Sequence, residues 1–337
     1  MRKLRVLVLM HPSLVPPDSL EGYTEKEIYV WKTEYDVVTT LRKLGHEVKP
    51  LGVHDELMPV RTAISEWKPH IAYNLLEEFH GMAEFDYHVV SYLELLQTRY
   101  TGCNPRGLVL ARDKALSKKL LVYHRIRVPN FAVFPLGYVA RRPRRLAFPL
   151  IVKSLTAESS LSIAQSSIVD SDEKLAERVR FIHQNRRTAA IVEQFIDGRE
   201  LYVGIVGNRR LEVLPIWELT FENMPPRSAA IATARIKHDP EYQRKRGIYQ
   251  QPAADLPLAL TEHIIKTSKR IFRILDLDGY ARIDYRLSPQ GELYFLEANP
   301  NPEVAESEEF ASAAQAAGIS YPALLQRILN LGLQRGR

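Results

Sequence analysis

The chain has 337 residues, 45% of them hydrophobic and 26% charged, enough for more than one core because single cores rarely grow past ~250–300 residues. Its 16 glycines fall below the ~7% of average usage and disfavour glycine-loop nucleotide folds; no apolar run approaches the ~18 residues of a membrane span, and the lone Cys103 excludes an intramolecular disulfide or a multi-cysteine metal site, as in a cytoplasmic protein. The formal charge of +6 suggests a nucleic-acid partner, but the basic residues sit in short tracts (141–145 and 244–246) without interleaved aromatics, so solvated loops are the simpler account, neither nucleic acid nor membrane is expected, and attraction of nucleotide phosphates stays open.

Residues 4–10 form an apolar run suited to a buried parallel strand. The basic start ahead of it leads into too few apolar residues before His11-Pro12 for a secretory leader. Residues 25–44 carry a helical pattern that stops at Gly45. A second strand begins at 46–51, a helix fits 60–67, a third strand 71–76 and an amphipathic helix 86–97. This alternation predicts a parallel sheet with right-handed crossovers, with ligands bound beyond the carboxyl ends of its strands. Loops 11–23 and 74–80 are therefore candidates for a site.

The character changes after Tyr100-Thr101-Gly102. A helix is expected over 111–124, an exposed basic loop at 141–145, and an apolar strand over 148–153 that ends in Lys153. Another helix covers 172–184, capped at Ser171-Asp172. A strand over 189–196 stops at Asp197-Gly198, and 200–206 pairs with 211–216 across Gly207-Asn208. Residues 217–256 have no clean periodicity and read as a long segment without elements, either a functional lid or a surface insertion.

The sharpest feature is the stretch 279–300, two strands around Ser288-Pro289-Gln290-Gly291, which fits a type I turn. With the hairpin centred between Gln290 and Gly291, Asp284 lies opposite Glu297. Period two puts Arg282 with Asp284 on one face and Glu297 with Asn299 on the matching face. Opposed carboxylates destabilise a hairpin. Either a hard cation, Mg²⁺ or Mn²⁺, is held between them, or Arg282 bridges both acids in a plain ion-pair cluster. No P-loop and no Gly-x-Gly-x-x-Gly is present. Lys114, at a helix start, and Lys153, at a strand end, are instead placed to act as point charges for phosphate, or are solvated element ends.

The order Lys114, Val152-Lys153, Ile191-Val192-Glu193, Gly198-Arg199-Glu200-Leu201, Ala281-Arg282-Ile283-Asp284 and Leu296-Glu297-Ala298-Asn299-Pro300 resembles the ATP-grasp superfamily. Within it the D-alanine–D-alanine ligases are the nearest match, over almost the whole chain. The resemblance implies an α/β fold, α+β in its C-terminal part, with three subdomains: a parallel-sheet domain over 1–104, a central one over 105–188 and a C-terminal one over 189–332. It assigns Lys114 and Lys153 to the phosphates of ATP, Glu193 with the backbone of Gln194 and Ile196 to adenine, and Glu200 to ribose. Asp284, Glu297 and Asn299 would hold two Mg²⁺ ions, with Mn²⁺ a substitute. Arg282 would stabilise the transferred phosphate, and Lys237 would belong to a mobile loop closing over it. A homodimer follows by the same analogy.

Departures gather where that family binds its substrates. The phosphate-covering loop reads Glu158-Ser159-Ser160-Leu161-Ser162, keeping both serines, of which Ser159 is the catalytic candidate, and losing both glycines. After Asn299 the chain is dense in acid through 303–309, a wall that would repel a free α-carboxylate and favour a cationic or larger amine. Glu27 is the candidate for holding an amino group; His80 either lies near the same pocket or is structural. The expectation is an ATP- and Mg²⁺-dependent carboxylate–amine ligase working through an acyl phosphate on small molecules other than two D-alanines. An ATP-grasp kinase and a non-catalytic nucleotide-binding protein are the alternatives.

Overall fold

The computed structural model describes residues 3–156, 163–225, 228–233, 235–236 and 239–335. Its first sheet is parallel throughout, with β1 (Arg5–Met10) between β2 (Glu47–Gly52) and β3 (Ile71–Asn74). β1 is buried along nearly its whole length, as a continuous apolar run requires. The helix expected over 25–44 breaks at Trp31 into Glu25–Val30 and Lys32–Lys43, and the chain turns at Gly45, where φ is 86°. Helix Asp86–Leu95 follows the third strand.

The helix expected over 111–124 is two helices, Pro105–Arg112 and Lys114–Tyr123. They separate at Asp113, whose carboxylate accepts from the amides of Ala115 and Leu116 at 2.9 Å, an N-cap that restarts the helix. Beyond them lies an antiparallel sheet in the order β4 (Phe131–Phe134), β7 (Ala190–Gln194), β5 (Leu150–Ser154), β6 (Ile168–Val169). Helix Asp172–Arg186, capped by Ser171, covers it. Their core is a separate cluster that includes Leu150, Val152, Leu175, Val179 and Val192.

The third sheet runs β11 (Ile248–Pro252), β10 (Trp217–Phe221), β8 (Arg199–Val206), β12 (Tyr280–Leu287), β13 (Leu293–Pro300), and β9 (Glu212–Val213) closes the short hairpin on β8. Residues 217–256 are therefore not a segment without elements. They contribute two sheet strands and helix Pro240–Arg246. Trp217, Leu219 and Ile248 are buried along this part of the sheet, which fixes β10 by its alternation. Helix Leu258–Ile274, which the sequence reading passed over, packs Ile264, Ile271 and Phe272 into the core beneath β8 and β12.

The β12–β13 register is the one expected at the site and not near the turn. Asp284 faces Glu297 and Arg282 faces Asn299, yet Tyr285 faces Phe295 and Leu287 faces Leu293. One extra residue in β13 makes a bulge that shifts the register between Asp284 and Tyr285. Such an insertion bends the strand and re-aims its side chains.

Candidate functional site

Charge comes to the junction of the two antiparallel sheets from strands of both sheets and from two helix starts. Period two places Arg282, Asp284 and Arg286 on one face of β12, and across the ladder Gly204, Tyr202 and Glu200 of β8 are their partners. Arg282 Nε and Nη2 donate to the two oxygens of Asp284 at 2.7 and 2.9 Å, and its Nη1 donates to Glu309. Asn299 Nδ2 donates to Asp284 Oδ2 at 2.9 Å. Burial opposes the guanidinium charge, but Asp284 outweighs it and raises the arginine's pKa.

Glu297 lies 3.5 Å from Lys114 Nζ, at the start of helix Lys114–Tyr123. One turn further on, Lys118 is wholly buried, 2.8 Å from Glu193 Oε1, and donates to the carbonyl of Leu296. Lys153, near the end of β5, donates to Glu193 Oε2 at 2.9 Å. Burial raises the Glu193 pKa, but the two ammonium groups overcome it and hold the carboxylate down to about 2. Burial pushes Lys118 down. It acts on Lys153 too, where Glu193, Glu297 and Glu200 prevail and raise the pKa. Lys114, Lys118 and Lys153 thus share a field with Glu193 of the same sheet as Lys153 and with Glu200 and Glu297 of the other sheet.

Glu200 accepts from the Tyr202 hydroxyl at 2.9 Å and from Arg286 Nη2 at 2.7 Å. Gln194, the last residue of β7, and Ile196, on the link to β8, lie half-buried, and the Gln194 amide donates to the Asn130 carbonyl at 2.8 Å. Glu27 is not brought to this group. Its carboxylate accepts from the amide and hydroxyl of Thr24 at 2.8 and 2.6 Å, a capping box on an exposed helix, and from that helix Tyr29 reaches the central cavity. His80 is exposed, with φ at 56°. Ser159 and Lys237, with the loop 158–162, lie outside the described residues.

That cavity, about 440 Å³, opens beside Arg282 and Asn299, between the sheet face carrying Tyr202 and Trp217 and the acidic segment after Asn301. Sequence reasoning missed Lys118 and Arg286, and placed Glu309 in an acidic wall without pairing it with Arg282. Lys118 was signalled by its i, i+4 spacing from Lys114 and Arg286 by the alternation of β12, whereas nothing local marks Glu309 as the partner of Arg282.

Among the described residues no group of three His, Cys, Asp or Glu side chains forms a metal cage of its own. The donor set that is present, two carboxylates and an amide opposed across one hairpin, fits Mg²⁺, which is commonly held by one or two carboxylates with substrate phosphates completing its shell.

Residues 123–330 match the family described as D-ala D-ala ligase C-terminus. An uncharacterized protein of Sinorhizobium fredii is 30% identical, over 89% of this chain and 87% of its own length. The D-alanine–D-alanine ligase of Nitratidesulfovibrio vulgaris is 31% identical, over 90% of this chain and 95% of its own. The crystal structure of D-alanine–D-alanine ligase from Bacillus anthracis complexed with ATP superposes with a TM-score of 0.74 and 24% identity, covering 98% of each chain. The fold is that of the ATP-grasp ligases, ATP-dependent enzymes that form carbon–nitrogen bonds. The chain belongs to the D-alanine–D-alanine ligase family.

Proposed function

We propose that this enzyme uses ATP and Mg²⁺ to join a small carboxylate to an amine through an acyl phosphate, with substrates other than two D-alanines. The observation that carries this reading is the convergence of Lys114, Lys153 and Glu200 on the Arg282–Asp284 and Glu297–Asn299 face, in a chain of the ligase family. In the first step a carboxylate oxygen bonds to the γ-phosphorus as the bond to the bridging oxygen breaks, and ADP leaves with that electron pair. In the second, the amine nitrogen attacks the acyl carbon, the carbon–oxygen bond breaks, phosphate leaves, and the nitrogen gives up a proton to solvent.

Lys114 and Lys153 supply positive charge to the phosphates, Glu200 meets the ribose, and Glu193 with the Gln194–Ile196 backbone meets adenine. Arg282 is the donor for charge that grows on the transferred group and on the acyl oxygen. Asp284, Glu297 and Asn299 would hold Mg²⁺, which neutralises phosphoryl oxygens when bound. Ser159 and Lys237 belong to segments that would cover the phosphates, since water must be kept from an acyl phosphate. The three subdomains, 1–104, 105–188 and 189–332, are proposed to enclose the site.

The test is ADP release across a panel of carboxylates and amines, with the condensed product identified by mass. Release that needs both an acid and an amine supports the ligase. A stable phosphorylated product from a single substrate would replace it with a kinase.

A further inference from the structure

We propose that the cavity beside Arg282 receives an amine that carries a second positive charge, of the diamine or polyamine class, and that Glu309 is the residue that sets this preference. The inference rests on the ligase reading and concerns only which amine is used. Among the described residues lining the cavity, four are carboxylates, Glu77, Glu303, Glu308 and Glu309, and one, Arg282, is a cation.

Three of that cation's N–H groups are already engaged. A guanidinium has five N–H donors; here Nε and Nη2 serve Asp284, and Nη1 serves Glu309. The two N–H groups that remain are the ones the transferred phosphate and acyl oxygen require, so a substrate carboxylate finds no second fork on Arg282, and the other charged side chains among the described lining residues are acids. Charged groups that repel the wrong ligand are a source of selectivity as strong as those that attract the right one.

Glu309 is held where it is by the fold. It is 6% exposed and sits in the first turn of helix Glu309–Ala316. The next residue, Phe310, packs at 5.6 Å from Tyr280. Its ring also presses on Gly204 of β8, where a Cβ would meet it at 3.1 Å. The helix start, and the carboxylate it carries, cannot shift without displacing that contact.

The remaining walls suit a cationic chain with a hydrocarbon spacer. Trp217, Leu219 and Ile248 offer apolar surface. Tyr29, on the opposite wall, already feels the acids: its pKa is raised by burial and then by Glu308 and Glu303. An ammonium group placed among them gains both charge pairing and aromatic faces.

The experiment uses the full chain with ATP, Mg²⁺ and a carboxylate panel, comparing 1,4-diaminobutane and spermidine with L- and D-alanine as amines. Diamine kcat/KM should exceed that of either alanine at least about tenfold, a difference modest for opposed charge signs. Glu308→Gln should raise the diamine KM by roughly tenfold while leaving the ATP KM in place. Glu309→Met, which keeps the side chain's length but removes the acceptor of Arg282 Nη1 and so returns that donor to the cavity, should move the diamine-to-alanine ratio toward alanine by about tenfold. Calorimetric titration with each amine alone reads the same preference without turnover. Preference for alanine in both turnover and calorimetry would overturn the inference and leave the ligase intact. Absence of ADP release with every pair would defeat the ligase reading, while the calorimetry still decides which amine the cavity binds.

Discussion

At the scale of single residues, the charge buried around Arg282 and Glu193 sits with opposite charge at contact. Glu193 is the clearest case, a fully buried carboxylate between Lys118 and Lys153. Breaking one such buried pair costs up to about 3–5 kcal/mol, less here by what the remaining contact with Lys153 still supplies. Lys118→Met should therefore lower the free energy of unfolding by that order, measured by urea denaturation, although Lys118 sits below Lys114 and faces no open surface. Asp284 has a different role: its carboxylate is shared between Arg282 and Asn299 at the edge of the cavity. Asp284→Asn keeps the shape and one acceptor oxygen while removing the charge. ADP release should fall by roughly 10²-fold or more, with circular dichroism unchanged; an unaffected rate would remove Asp284 from the mechanism.

Among the elements, the β12–β13 hairpin decides most. Its bulge turns a register that is displaced near Ser288-Pro289-Gln290-Gly291 into one that opposes Asp284 to Glu297. The far end of β13 is held by a close approach of backbone. At Gly102, φ is 88°, and a Cβ would lie 2.4 Å from Asn301 Oδ1, the acceptor for the Cys103 amide. Gly102→Ala combines a left-handed backbone with this clash, so it should destabilise the fold by about 1–3 kcal/mol, read as a lowered thermal midpoint. Because Asn301 follows Asn299 by two residues, the same variant should also weaken activity more than its stability loss explains. Helix Leu258–Ile274 was legible in principle, since Ile264, Ile271 and Leu275 repeat with a helical period. β11 was not: its residues, apart from Ile248, are largely exposed and acquire strand structure by pairing with β10.

Across the whole molecule, the N-terminal sheet unit is tied to the acidic segment beyond β13. Lys32 reaches Ser307 at 2.6 Å, Thr33 reaches Glu303 at 3.0 Å, and Asp36 accepts from the Glu306 amide at 3.0 Å. Glu34 is buried within this contact. Burial, with Glu303 nearby, pushes its pKa from 4.5 to about 7. The folded protein then holds one more proton than the unfolded chain between those values. Stability must fall as pH rises from 4.5 to about 7, by a total on the order of 3 kcal/mol from this group, and stay level above. Glu34→Gln should flatten that slope and raise the thermal midpoint above pH 7, which melts between pH 5 and 8 would show. A parallel pH dependence in parent and variant would exclude Glu34 as its source.

What the sequence determined by itself was whatever short-range geometry encodes. Alternation gave β1 its buried character, the turn centre and period two opposed Asp284 to Glu297, and element ends marked Lys114 and Lys153, each from spacing within a few tens of residues. The family resemblance extended this to the fold and to the ligase class. Tertiary structure alone decided which charges meet. Arg282 with Glu309, Glu200 with Arg286 and Lys118 with Glu193 join residues 27, 86 and 75 apart in the chain. No local period or propensity carries such pairings, because they follow from how sheets and helices pack. The count of 16 glycines disfavoured glycine-loop folds, and the charge that meets the site comes from lysines, an arginine and a strand hairpin. The acid-rich segment after Asn299 was visible as composition. Only folding put it against Arg282 and made it one wall of a cavity.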